Sequence, residues 1–134
     1  MTAVFVDPPR FPHSVHYSHV GIVKGGRQVF VSGQIAYDHE GRVVGKGDLR
    51  AQTIRVYENL KECLATAGAT FHHVVKVTTY VVGLTPQMAD VVREVRSHYL
   101  AGQRPTSTMV GVTSLVNPDL LIEVEVVAYV PEGH

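Results

Sequence analysis

The chain has 134 residues, 45% of them apolar, with twelve basic and twelve acidic side chains and a formal net charge of zero. That length without a break in composition predicts one domain, residues 1–134, with room for a proper core; charge balance without a basic run lacks the electrostatic footprint of a nucleic-acid binder, so no nucleic-acid partner is expected. The opening MTAVFVDPPRFPHS has neither the basic nor the apolar region of a signal peptide, and no apolar run approaches the roughly 18 residues a membrane helix needs, so a cytoplasmic protein without a membrane partner is expected.

Residues 1–14 carry three prolines and no apolar period, which predicts an extended arm laid over the domain. Tyr17 to Val23 and Val29 to Gln34 are short apolar runs separated by KGGRQ, and Gly25 and Gly26 are the turn signal of a β-hairpin. The second run ends in VSGQ. An interior Gly33 costs stability unless backbone must approach something closely, so Ser32 to Gln34 either border a ligand or form a β-bulge.

Asp38 to Gly47 reads as a loop, and Asp48 then caps a helix starting at Leu49. Leu49, Thr53, Val56, Leu60, Cys63, Leu64 and Ala67 recur at helical spacing, and Gly68 closes the helix. The lone Cys63 excludes an intrachain disulfide and, in that stripe, reads as a buried structural thiol rather than a nucleophile. Residues 74–82, VVKVTTYVV, predict a central strand. Thr85 and Pro86 start a second helix whose apolar stripe is Met88, Val91, Val92, Val95 and Tyr99 and whose end is Gly102.

In QRPTSTMVGV, residues 103–112, Thr106 to Thr108 are small and polar, while Met109 to Val112 read as a buried strand. Polar side chains therefore gather where a strand begins, a common place for a small-molecule site. Leu115 to Asp119 turn around Pro118, and residues 120–130 form the last strand. There Glu123 and Glu125 share one face while Ile122, Val124 and Val126 share the other. The element order predicts an α+β fold: one mixed sheet with both helices on one side and a β-branched opposite face that self-association buries.

The stretches YSHVGIVKGGRQVFVSGQIAYD, ATAGAT, VVKVTTYVVGL, RPTSTMVGV and IEVEVVAY, spanning about residues 17–130, resemble the RidA/YjgF family, also called the Rid or L-PSP family. The resemblance implies a chorismate-mutase-like fold assembled as a homotrimer with small-molecule clefts between subunits. It further implies hydrolysis of enamines and imines, such as 2-aminoacrylate, to a keto acid and ammonia without metal or organic cofactor. Position by position, the family's tyrosine, the serine of its SGQ motif and its last-strand glutamate fall on Tyr17, Ser32 and Glu123. The arginine that holds the substrate carboxylate falls on Ser107, and an asparagine of the second helix falls on Arg93.

Imine hydrolysis needs a held substrate, a positioned water and a group that takes and returns a proton. Glu123 is the candidate catalytic residue, provided partial burial raises its pKa; the alternative is an ordinary sheet glutamate. Tyr17, Ser32, Gly33, Arg93, Ser107 and Thr108 are the candidate substrate-binding set. A serine cannot neutralise a carboxylate, and the lost charge-assisted contact is of the kind worth about 1.5–3 kcal/mol, so weak activity on 2-imino acids is expected. Arg93 is the better candidate for a relocated cation, the alternative being a solvated charge on the helix face; Arg104, three residues before Ser107, faces away in an extended segment and reads as a surface or helix-end charge. Among the eight histidines, His13, His16 and His19 recur at every third position, a spacing that does not set three imidazoles on one ion, so no metal is expected. His72, His73 and His98 read as surface residues, and Tyr57 and Tyr80 as packing. Three functions follow: an imine or enamine hydrolase, a member that only binds a ligand as sensor or scaffold, and an endoribonuclease or translation inhibitor. Neutral charge and the want of an acid-base histidine pair argue against the third.

Overall fold

The computed structural model describes residues 3 to 133. Its core is a four-stranded sheet of β3 (Arg27–Gln34), β6 (Ile122–Val130), β4 (Val74–Val82) and β5 (Thr106–Val112), in that spatial order. β6 runs antiparallel to both β3 and β4, and β4 and β5 are parallel, so the sheet is mixed. The parallel step requires a crossover, and helix α2 (Pro86–Leu100) supplies it; helix α1 (Leu49–Thr66) links β3 to β4. Both helices lie on one face, as the apolar periods require. Val56, Tyr57, Leu60 and Leu64 of α1 and Val92 and Leu100 of α2 join Val77, Val81, Ile122, Val124 and Val126 in one core cluster.

The helix ends follow the sequence signals. Asp48 Oδ1 accepts the Ala51 N–H at 3.0 Å, Thr85 Oγ1 accepts that of Met88 at 3.2 Å, and Gly68 turns left-handed at φ 71° past α1. α2 ends differently from expectation. Its left-handed cap begins at Ala101, φ 48°, one residue before Gly102. A Cβ in that conformation costs about 1–2 kcal/mol, partly offset by the chain entropy a glycine loses. Ala101→Gly, at an exposed site, is therefore expected to raise stability by about 0.5–1 kcal/mol in urea unfolding.

The expected hairpin across KGGRQ is corrected. Val20–Ile22 (β2) pairs antiparallel with Val4–Val6 (β1) in a separate two-stranded ribbon, while β3 pairs with β6. Gly25 and Gly26 do turn the chain, at φ 67° and 66°, but a Cβ on Gly26 would lie 2.8 Å from Tyr129 Cε1. The turn is thus seated against the end of β6 and delivers β3 to that strand, where Val31 enters the core. Val20, Gly21 and Ile22 are all exposed, so a place in the main sheet would have gained them little burial. The N-terminal arm contributes β1, and Asp7 latches it: its Oδ1 accepts the His19 N–H at 2.8 Å, while Arg104 donates to the Ser14 carbonyl at 2.7 Å. Arg104 is thereby an arm clamp. The His19 N–H bond is the main cause holding the Asp7 carboxyl below its usual range.

Met109 to Val112 also depart from expectation. β5 is an edge strand of the four-stranded sheet, with β4 as its strand neighbour, and Val110 and Gly111 are exposed. The helix-free face is open, with Phe30 73% exposed on β3 and Val110 39% exposed on β5.

Two polar side chains are buried beneath the helices, Tyr57 in keeping with its reading as a packing residue and Gln52 without having signalled it. Gln52 is fully buried, its Nε2 donating to the carbonyls of Gly45 (3.2 Å) and Asp119 (2.9 Å) and its Oε1 accepting the Leu121 N–H (2.8 Å). Tyr57 stacks near Phe71 and Tyr99, with ring centroids 5.7 and 5.3 Å away, and its buried hydroxyl has no hydrogen-bond partner among the described residues. Burial pushes that phenol's pKa up. Tyr57→Phe removes an unsatisfied polar atom and keeps the ring, so an unchanged or higher melting temperature is expected by scanning calorimetry.

Candidate functional site

Glu123 and its neighbour in register illustrate how the sheet builds the site. Between the pairs Val31↔Val126 and Gln34↔Val124, two residues of β3, Ser32 and Gly33, lie opposite one residue of β6, Glu125. That two-against-one count is a β-bulge, so one of the two readings of Gly33 is present. The other, close approach, is present as well: a Cβ on Gly33 would lie 2.8 Å from Glu123 Cδ, nearer than side chains pack. The glutamate carboxylate thus rests on bare backbone, and a glycine is required there because a carboxylate occupies the space.

Glu123 and Glu125 stand on the helix-free face, both partly buried, opposite Tyr80 and Thr78 of β4. The Tyr80 hydroxyl donates to Glu125 Oε1 at 2.8 Å, and that bond is the first cause raising the phenol's pKa. Thr108 of β5 pairs with Thr78, placing it two strands, roughly 10 Å, from Glu125. A depression of about 420 Å³ lies between them, walled by Lys76, Thr78, Tyr80, Thr108 and Glu125 among others.

Three further candidates fall at the β5 edge. Tyr17, Ser107 and Thr108 line a hollow of about 190 Å³ with Ser18, His19, Lys76 and Thr106. Ser18 anchors it, its N–H donating to the Pro105 carbonyl at 3.2 Å, and its buried hydroxyl has no partner among the described residues. On the other side of the acid pair, Gly33 lines a third hollow of about 250 Å³ with Asn59, Glu62 and Cys63. Glu123 is absent from the walls of all three hollows. The chain therefore presents two separate groups: Ser32, Gly33 and Glu123 around the β3 bulge, and Tyr17, Ser107 and Thr108 at the opposite edge strand.

Ser107 carries a partner that its sequence position does not announce. Its Oγ accepts a bond from Arg96 Nη1 at 3.0 Å, and Arg96 is only 4% exposed. Burial is the main influence lowering the Arg96 pKa. Arg93, the better candidate for a relocated cation, is not in the Tyr17 hollow. It sits one turn from Arg96 on α2, with Asp90 at 3.9 Å. Arg96 was legible in one respect: Ala89, Val92, Arg96 and Leu100 follow one helical stripe, and all four are buried. Among the described residues no three His, Cys, Asp or Glu side chains gather in an arrangement able to hold a metal ion, and no helix is long and apolar enough to cross a membrane.

Two helices over one face of a mixed four-stranded sheet, with a glutamate on the open face of the last strand against an SGQ bulge, define a Rid-type α+β protein. Comparison with known proteins agrees. The family model described as endoribonuclease L-PSP matches residues 9–130. A RutC family protein of Pyrococcus abyssi is 43% identical over 107 residues, covering 80% of this chain and 82% of its own length. The RutC family protein YjgH of Escherichia coli is 32% identical over 133 residues, covering 98% and 96%. A crystal structure of a Rid-family protein of unknown function from Yersinia pestis superposes with a TM-score of 0.89 at 36% identity, covering 97% of this chain and all of that one. The chain belongs to the Rid, or YjgF/L-PSP, family.

Proposed function

We propose that this protein hydrolyses a small imine or enamine to a carbonyl compound and ammonia at clefts between copies of the chain in a homotrimer. The observation that carries the reading is the Glu123 carboxylate laid against the bare backbone of Gly33, a position protected by the bulge in β3. In this reading Glu123 takes a proton from the attacking water and returns it to the departing nitrogen, so that imine plus water becomes carbonyl plus ammonia. Ser32 and Gly33 line the ligand from the same copy. Tyr17, Ser107 and Thr108, which lie at the far edge of the sheet, come from a neighbouring copy. The exposed Phe30 and Val110 support the assembly, because an open apolar sheet face of this kind is normally covered. Sedimentation of a single trimeric species is the expected state, and a monomer in solution contradicts the reading.

The assay follows ammonia and carbonyl release from enzymatically generated 2-aminoacrylate and from uncharged imines, with Glu123→Gln alongside. Loss of the proton-transferring group is expected to lower turnover by about 10²–10⁴-fold. Turnover of 2-aminoacrylate is expected to fall below that of an arginine-bearing family member, since Ser107 offers a hydroxyl already bonded from behind by Arg96. Equal rates for wild type and Glu123→Gln would contradict the hydrolytic reading. A second reading, a member that binds a ligand without turning it over, draws on the same substitution at Ser107; ligand binding with no turnover of any imine would favour it. The family name and a balanced net charge pull in opposite directions over ribonuclease activity, and an RNA degradation assay decides it.

A further inference from the structure

Beside the C-terminal half of α2 lies a small cavity of about 70 Å³ that shares no wall residue with the Tyr17 hollow. Its polar walls are His16, Arg93, Arg96, Ser97 and Gln103. Two of these are already occupied. The Ser97 hydroxyl donates to the Glu94 carbonyl at 2.7 Å, and the Gln103 amide meets His72 Nδ1 at 2.7 Å. That leaves two guanidiniums and one imidazole facing the space.

Arg96 is unusual among them. A guanidinium carries five N–H donors; this one is 4% exposed and bonds to the Ser107 hydroxyl alone among the described residues. Burying a charge is costly unless an opposite charge or several hydrogen bonds accompany it. Among the described residues no carboxylate forms an ion pair with Arg96. The nearest acid to the pair is Asp90, 3.9 Å from Arg93 and with a side chain 80% exposed. The fractional negative charge at the end of α2 offsets only part of the deficit, because the Ser97 and Leu100 carbonyls are taken by the N–H groups of Ala101 and Gln103. Arg93 adds a second positive charge to the same walls. Each guanidinium makes the other harder to keep there, and one anion between them relieves both.

We propose that this cavity is a binding site for a small oxyanion, phosphate or a carboxylate, held by Arg96 and Arg93 with His16 at its mouth. The site stands on donors rather than on the Glu123 chemistry and survives or fails independently of it. The volume admits a single tetrahedral or planar oxyanion group and not a nucleotide, so a larger ligand would place only its charged end there.

The test is titration of the full chain with inorganic phosphate, with acetate, and with uncharged acetamide, read by calorimetry and by melting temperature. Saturable phosphate binding, one per chain, with a rise in melting temperature and no response to acetamide, is the expected result. Acetate binding of similar strength widens the site to carboxylates; phosphate alone restricts it to phosphoryl groups. Arg93→Gln, at a more exposed position that tolerates change, is expected to weaken binding at least tenfold, and Arg96→Met to abolish it. Glu123→Gln is expected to bind phosphate as wild type does, which separates this site from the hydrolytic one. Absence of saturable binding, or unchanged affinity in Arg93→Gln, overturns the proposal. So does a change of oligomeric state in Arg93→Gln without any phosphate effect, which would assign the arginines to a protein contact.

Discussion

Gly33→Ala is expected to reduce imine hydrolysis almost as far as Glu123→Gln does, by about 10²-fold or more, while leaving the fold intact. The added methyl occupies the space of the Glu123 carboxylate, 2.8 Å from Cδ. The clash is with the end of a flexible side chain, not with backbone, so the glutamate swings aside at small cost. A shift of about 1 Å in a proton-transferring group is enough to cost such a factor in rate. Stability changes by less than about 1 kcal/mol, because Gly33 does not sit at a left-handed φ and alanine fits its backbone. The measurement is therefore a pair: steady-state ammonia release and urea unfolding on the same preparation. Loss of activity with a retained unfolding midpoint supports a catalytic Glu123, whereas retained activity separates that carboxylate from the chemistry.

The largest loss of stability is expected at Gln52. Gln52→Leu keeps approximate volume on α1 but strips partners from Gly45 O, Asp119 O and Leu121 N, all of which lie against the helix. Buried groups left unpaired cost about 1–3 kcal/mol each, less whatever water recovers, so a total of about 3 kcal/mol is expected. For a chain of this length that is a fall in melting temperature of roughly 10 °C. Gln52→Glu, which keeps one acceptor for Leu121, is expected to lose less at low pH than at neutral pH, where a charge would be buried. A midpoint within a degree of wild type for Gln52→Leu contradicts the assignment.

Much of this architecture is visible in the residues themselves. Asp48 and Thr85 as caps, Gly68 as a stop, and the split of Glu123 and Glu125 from Ile122 and Val124 are local patterns that the fold keeps. Strand pairing is not local. Nothing in KGGRQ distinguishes a turn that closes a hairpin from one that hands the chain to β6, and the partner of β2 is three residues at the far end of the arm. Buried polar side chains are hidden for a similar reason. Nothing local announces what Gln52 and Arg96 bond to: each finds its partners on a segment distant in sequence, Asp119 and Leu121 for one and Ser107 for the other. The glutamate and its bulge were legible as separate signals; that they touch is a fact of register, one slip of which would send the carboxylate to the opposite face.

The ribbon of β1 and β2 has a practical corollary for anyone handling the molecule. Phe11, Pro12 and His13 are exposed in the link between its two strands, an inviting place for a protease. A nick there would leave the peptide ahead of it held without a covalent link, among other contacts by the Val4 to Val6 ladder and the Asp7 latch. Dissociation of that peptide would unzip β2, whose following turn carries the chain into the glycine-floored bulge. A few lost residues far from the acid would then disturb the backbone on which the acid rests.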